Sequence, residues 1–292
     1  MDFLPRAPFL TQPLRRHEDW VERFRKHEFP VLAVSAEALE RLRADEDAVD
    51  AHLIGQTFDN DPLLTLKVLI HASNLNRMRR TNDAETLTSA VVLMGITPFF
   101  SLLGPQPTLE EWLAGDAEAL EGVDAVLGRL ERASRFALGF AAHRADPDAN
   151  ILHQAALLHD FAELLLWCHA PELAKQIRAH QKFDPTLRSK AAQQMVLGTD
   201  LMSVQKDLMR AWHLPAVFAH LLDDRDPQDA QERCVQLATR TARHSMSGWG
   251  NAGIPDDVRD IGDLLNLGPI PTMRLLRDLA GDPLARGPDT TM

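Results

Sequence analysis

Helix-start signals recur along this chain while hairpin signals do not, and that contrast limits the fold more than any other property of the sequence. Asp61-Pro62 sets a capping carboxylate and a first-turn proline before Leu63, Leu66, Leu69 and Ile70, which share one helical face. Thr108-Leu109-Glu110-Glu111 has the spacing of a capping box, in which residues three apart satisfy each other's free amides. Ser35 stands as an N-cap before the amphipathic stretch 36–43, and Asp184-Pro185 and Asp226-Pro227 repeat the cap-plus-proline start. No alternating apolar–polar run bounded by turn residues reads as a hairpin, and tyrosine is absent. The expected fold class is all-α.

Punctuation suggests the organisation. Residues 1–28 carry Arg15, Arg16, Arg23, Arg25 and Lys26 among acids and read as an arm or leading helix. A helical block follows over 29–103, then Gly104-Pro105-Gln106-Pro107 as a linker or tight inter-helix turn. A second block covers 108–225, and C-terminal helices over 226–280 are expected to pack on the preceding blocks. Residues 281–292, rich in Gly, Pro and Asp, read as a flexible tail. At 292 residues a compact fold removes roughly three quarters of the unfolded surface from water, so a sizeable core is feasible. Leu66, Leu69, Leu93, Leu157, Leu158, Leu164, Leu165, Trp212 and Leu237 are the expected buried positions.

Composition excludes several classes. Apolar and charged fractions of 45% and 25% are those of an ordinary soluble protein. Cys168 and Cys234 lie far apart in no metal or redox spacing, which fits a reducing cytoplasm. Met1-Asp2-Phe3-Leu4-Pro5 does not read as an export signal. The apolar stretch 90–103 is shorter than the roughly 20 residues of a membrane span and contains Pro98, so it reads as core. A net charge of −11 argues against broad nucleic-acid binding, which needs clustered Lys and Arg. The stretch 110–124 has acids but no Lys or Arg and reads as a solvated helical face.

The chemistry-bearing fragment is His159-Asp160, inside the apolar run from Ile151 to Cys168. Such a pair binds a divalent cation or makes buried hydrogen bonds, depending on what else the fold brings to it. A hydrolytic cation needs at least three protein ligands and an open position for water. His159 and Asp160 supply two. Glu163, four residues after His159, could share its helical face, and Asp223 or Asp224 could join only if the fold brings them close. His153 is expected to point elsewhere, so the pair reads as buried, hydrogen-bonded residues tying helices together. His71 reads as a core histidine, and Ser134, Ser189 and Ser203 lack the glycines of a nucleophile elbow. Gly248-Trp249-Gly250-Asn251-Ala252-Gly253 reads as a turn with an anchoring tryptophan. Arg240, Arg243 and His244 before it form a basic helical edge, expected to be solvated.

Several fragments, in order, resemble the HDOD family, a helical output module related to the HD-type metal phosphohydrolases. They are Phe29-Pro30-Val31-Leu32; Asp61-Pro62-Leu63 with Leu69, Ala72, Ser73 and Asn74; Ala90, Leu93, Met94, Gly95 and Ile96; Leu157-Leu158-His159-Asp160; and Gly198, Asp200 and Trp212-His213-Leu214-Pro215. The resemblance spans about 29–225. It implies an HDOD-like fold, with an N-terminal helical block packed on a degenerate HD-like block. It also implies where an HD site would keep its other ligands. The upstream histidine position falls in Arg132-Ala133-Ser134-Arg135, which has none; Leu201 follows Asp200 where relatives have histidine; and Asp223-Asp224 stands for a His-His pair. Ala162-Glu163 replaces the usual Gly-Lys. At an effective dielectric near 20 and roughly 6 Å, that carboxylate would cost about 3 kcal/mol against each unit of phosphate charge.

The expectation is a non-catalytic, cytoplasmic signalling or regulatory module with protein partners and no cofactor, with room for a homodimer and with His159 and Asp160 as vestigial ligands. The alternative is a metal-dependent phosphohydrolase acting on a nucleotide or cyclic dinucleotide. A small-ligand sensor using the remnant pocket is compatible with the first reading.

Overall fold

Locally capped segments with apolar faces produce helices in sequence, and the computed structural model describes them over residues 4–79, 83–223, 225 and 227–282. In chain order they are α1 (His17–Lys26), α2 (Ala33–Arg43), α3 (Ala51–Thr57), α4 (Pro62–Arg79), α5 (Leu87–Met94), α6 (Ile96–Leu102), α7 (Leu109–Trp112), α8 (Ala117–His143) and α9 (Ala149–Leu157). There follow α10 (Phe161–His169), α11 (Pro171–Phe183), α12 (Ser189–Leu197), α13 (Leu201–Ala211), α14 (Ala216–Leu221), α15 (Ala230–Ser245), α16 (Ile254–Leu265) and α17 (Pro269–Leu279). The fold is all-α. Strand-like pairing among the described residues is limited to isolated bridges, Leu4 with His27 and Val31 with Thr108. No helix among them is long and apolar enough to cross a membrane.

The chain forms two compact units, Met1–Leu127 with Asp160–Ala219, and Gly128–His159 with His220–Met292. In the first, α4 is the central helix. Residues 61–73 are buried without a break, so the helix is covered on every side rather than along one stripe. α4 packs against α5 and α10, α1 against α13, and α11 against α12. Asp61 starts α4 as expected, accepting the Leu63 and Leu64 N–H groups at 2.9 Å each, and its other oxygen takes the Leu32 N–H at 3.1 Å. Thr108 caps α7 through the Glu111 N–H. Gly104 to Pro107 is a tied turn, with Val31 N–H donating to the Pro107 carbonyl at 3.0 Å.

Several local expectations are corrected. α2 begins at Ala33, so Ser35 lies inside the helix, buried, and its hydroxyl bonds to Asp61 instead of capping. Asp184 and Pro185 start no helix. Asp184 follows α11 and accepts the Thr186 N–H in a tight turn. α15 is capped by Asp229, while Asp226 lies outside the described residues. Leu93 is half-buried because Leu87, Ala90, Val91 and Met94 form the inward stripe of α5; the other expected core positions are buried. The stretch 90–103 is two helices, broken at Gly95 (φ 89°). The acidic stretch is not simply solvated, since Asp116 pairs with Lys175 at 3.0 Å and Glu121 with Arg178.

In the second unit, α15 packs on α9 and α16, and α16 on α17. On the α15 edge expected to be solvated, Arg243 is exposed, but Arg240 and His244 form a latch. Asp257, fully buried, takes Arg240 Nε–H on one oxygen and pairs with His244 Nδ1 through the other, both at 2.7 Å. Asp260 holds the remaining end of Arg240 at 2.7 Å. Trp249 donates to Asp282 at 2.8 Å, which also binds Arg277. Residues 283–292 of the expected tail lie outside the described residues.

Candidate functional site

The apolar run 151–168 is not one helix. α9 stops at Leu157, Leu158 to Asp160 form a turn, and α10 begins at Phe161. His159 is therefore non-helical, buried at 2% exposure, with its N–H on the Ala156 carbonyl at 3.4 Å. Asp160 is half-buried and precedes α10; its carbonyl accepts the Glu163 N–H at 3.0 Å, and its side chain does not cap the helix. Glu163 lies in the first turn of α10, half-buried. The expected shared helical face of His159 and Glu163 assumed one continuous helix, and the structure has a turn between α9 and α10 there instead.

Neutral groups meet at the start of α10. Ala162 N–H donates to the buried Gln205 side-chain oxygen at 3.0 Å, and the Phe161 ring lies 6.0 Å from that of Trp212. Asp200 caps α13 through the Ser203 N–H at 3.0 Å, just after Gly198 ends α12 in the left-handed region. The segment that resembles the family's later motif thus has local structural duties.

The positions to which the resemblance assigns the further ligands of an HD site make these contacts. Arg132 donates from α8 to the Ser245 carbonyl at 2.9 Å. Leu201 is buried as the first residue of α13. Asp223 pairs with Arg225 at 2.8 Å, and Asp224 lies outside the described residues. His153 is buried on α9, and His71 on α4. Among the described residues no three His, Cys, Asp or Glu side chains are grouped to hold a metal ion.

Sequence reading missed a buried lysine. Lys67 sits on the buried α4 at 3% exposure, donating to Gln106 Oε1 at 2.6 Å with its ammonium 5.1 Å from the centre of the Phe29 ring. Burial holds its pKa down at about 8, against the pull of Glu28 and Asp61. Burial also pushes Asp61 above the usual carboxylate range, opposed by hydrogen bonds from Ser35, Leu64, Leu32 and Leu63. Cys168 and Cys234 are buried, and burial pushes both thiols up to about 12, which leaves them inert. A lysine inside the run Leu63–Ile70 was the available signal, but spacing alone does not separate a buried ammonium from one that reaches solvent.

Over residues 29–225 the chain matches the HDOD domain family. Among solved structures it is similar to the MmoQ response regulator of Methylococcus capsulatus, at 20% identity over 85% of this chain and 97% of that one, with a TM-score of 0.65. It is also similar to a virulence factor of Campylobacter jejuni, at 15% identity over 92% of this chain and 100% of that one, with a TM-score of 0.62. At these identities the likeness is one of fold. No curated protein matches the chain.

Proposed function

The chain belongs to the HDOD domain family, and on that premise we propose that it is a signal-transduction or regulatory module acting through protein–protein contacts rather than by hydrolysis. The observation that carries this reading is the donor set around His159-Asp160. Two candidate ligands sit on a turn, and Arg132, Leu201 and Asp223 are engaged elsewhere in packing or pairing. A hydrolytic cation needs a third protein ligand and an open coordination position. Glu163 adds a carboxylate where phosphate chemistry would call for a cation, which weighs in the same direction. The fold-level likeness to a response regulator supports a signalling role. On this reading the partners are proteins of a cytoplasmic pathway, and nucleic acid and membrane are not among them.

The test uses the full chain with manganese, iron or nickel and three substrate types: nucleotides, cyclic dinucleotides and a generic phosphate ester. No turnover above background is expected. Melting curves with and without chelator should coincide for the parent, whereas a bound structural or catalytic metal would stabilise it by mass action. His159→Ala and Asp160→Ala should melt lower than the parent whether or not chelator is present. Metal-dependent turnover that disappears in His159→Ala, or a parent melting temperature that falls on chelation, would instead establish the phosphohydrolase or metal-site alternative.

A further inference from the structure

Two buried polar side chains of the first unit, Trp20 and His169, lie against one aromatic ring, with half-buried Arg23 beside them in sequence. Trp20, Arg23, Phe24 and His27 follow one another at helical spacing along α1 and its C-cap. The Trp20 ring lies 5.8 Å from Phe24, and the ring of His169, the last residue of α10, stacks on the same Phe24 at 5.4 Å. Trp20 and His169 are each 1% exposed. The Trp20 Nε1–H, the Arg23 Nε–H and both ring nitrogens of His169 are buried without a hydrogen-bond partner among the described residues. Buried polar atoms nearly always have partners, so the three on Trp20 and His169, with the Arg23 Nε–H on the next turn of α1, call for an explanation.

The N-terminal segment is stitched to the same groups. Leu10 N–H donates to the His169 carbonyl at 2.9 Å, and Arg23 Nη2–H to the Pro8 carbonyl at 2.6 Å. The unmatched atoms are mostly donors. Indole and guanidinium N–H groups only donate, and a neutral imidazole offers one further N–H beside one acceptor nitrogen. The ionisable groups acting on His169 are Arg23 and His27, both of the basic type. Donors with basic neighbours match an acceptor-rich, negatively charged ligand.

We propose that Trp20, Arg23 and His169 form a binding site for a small oxyanion, a carboxylate or a phosphate, beneath the N-terminal segment. The proposal does not rest on the function proposed above, because none of these residues belongs to the His159-Asp160 turn.

The experiment is a titration of the full chain, labelled with nitrogen-15, with sodium phosphate and separately with sodium acetate. The readouts are the Trp20 indole N–H, assigned by Trp20→Phe, and the His169 ring nitrogens. A saturable shift of both groups is expected, weakened about tenfold or more in Arg23→Gln, as befits a lost hydrogen bond to a charged group. Should Arg23→Gln unfold, Trp20→Phe, read at His169, should show the same weakening. Response to acetate alone assigns a carboxylate; response to phosphate alone assigns a phosphate. Shifts that never saturate, shifts unchanged in the variants, or a crystal structure with water alone joining Trp20 to His169 would overturn the proposal.

Discussion

Replacing Lys67 by methionine isolates the cost of a buried ammonium group. Lys67 is 3% exposed, and burial brings its pKa from 10.5 to about 8. An amine whose folded pKa lies below its unfolded value is protonated in both states below about 8, so the full burial cost is present there. As pH rises through that value the folded state sheds its proton first, and the cost disappears by about 10.5. Stability therefore increases with pH across this window. At about 1.4 kcal/mol per unit, the shift from 10.5 to about 8 corresponds to about 3 kcal/mol. Between pH 7 and pH 9.5 the parent should recover about 2 kcal/mol of it relative to Lys67→Met. Methionine keeps much of the apolar stem and does not titrate, so the variant's own offset in stability is constant with pH and cancels from the comparison. The assay is urea unfolding at both pH values, followed by tryptophan fluorescence. Trp20, Trp112, Trp167 and Trp212 belong to the unit that contains Lys67, and Trp249 to the other, so the signal reports mainly the relevant unit. A parent-minus-variant difference that stays flat within about 0.5 kcal/mol between the two pH values would refute the reasoning, because it would mean the ammonium stays hydrated.

Asp61→Ala removes the cap of α4 and strands the Leu32 N–H, so it should destabilise the first unit by about 2–4 kcal/mol in the same urea assay, with Asp61→Asn recovering most of the loss. At Gly122 an added Cβ would come within 2.2 Å of the buried Trp167 ring. Gly122→Ala should therefore lower stability by about 1–3 kcal/mol despite the helix-propensity gain, and Trp167→Phe in the same chain should relieve it. Asp257→Ala breaks the latch between α15 and α16, and amide exchange in α16 should quicken by about tenfold or more while α13 is unchanged.

Helical class, the Asp61 start of α4 and the Thr108 start of α7 were legible in the sequence because each depends on residues within four positions of one another. Ser35 and Asp184-Pro185 carry the same signals and mislead. The Val31–Thr108 bridge helps fix the course of the chain just before α2, and Ser35 is then drawn to Asp61, 26 residues away by number. The break at Leu158-His159-Asp160 has no glycine or proline to announce it, so an apolar run looked continuous, and the His159–Glu163 relation was drawn on a helix that does not exist. Arg240 and His244 looked like a solvated basic edge because Asp257, which they bind, lies on the next helix. Backbone hydrogen bonding closes over a few residues and leaves its mark in local spacing. Side-chain partnership between helices depends on which faces meet once apolar surface is buried, and no local spacing records that.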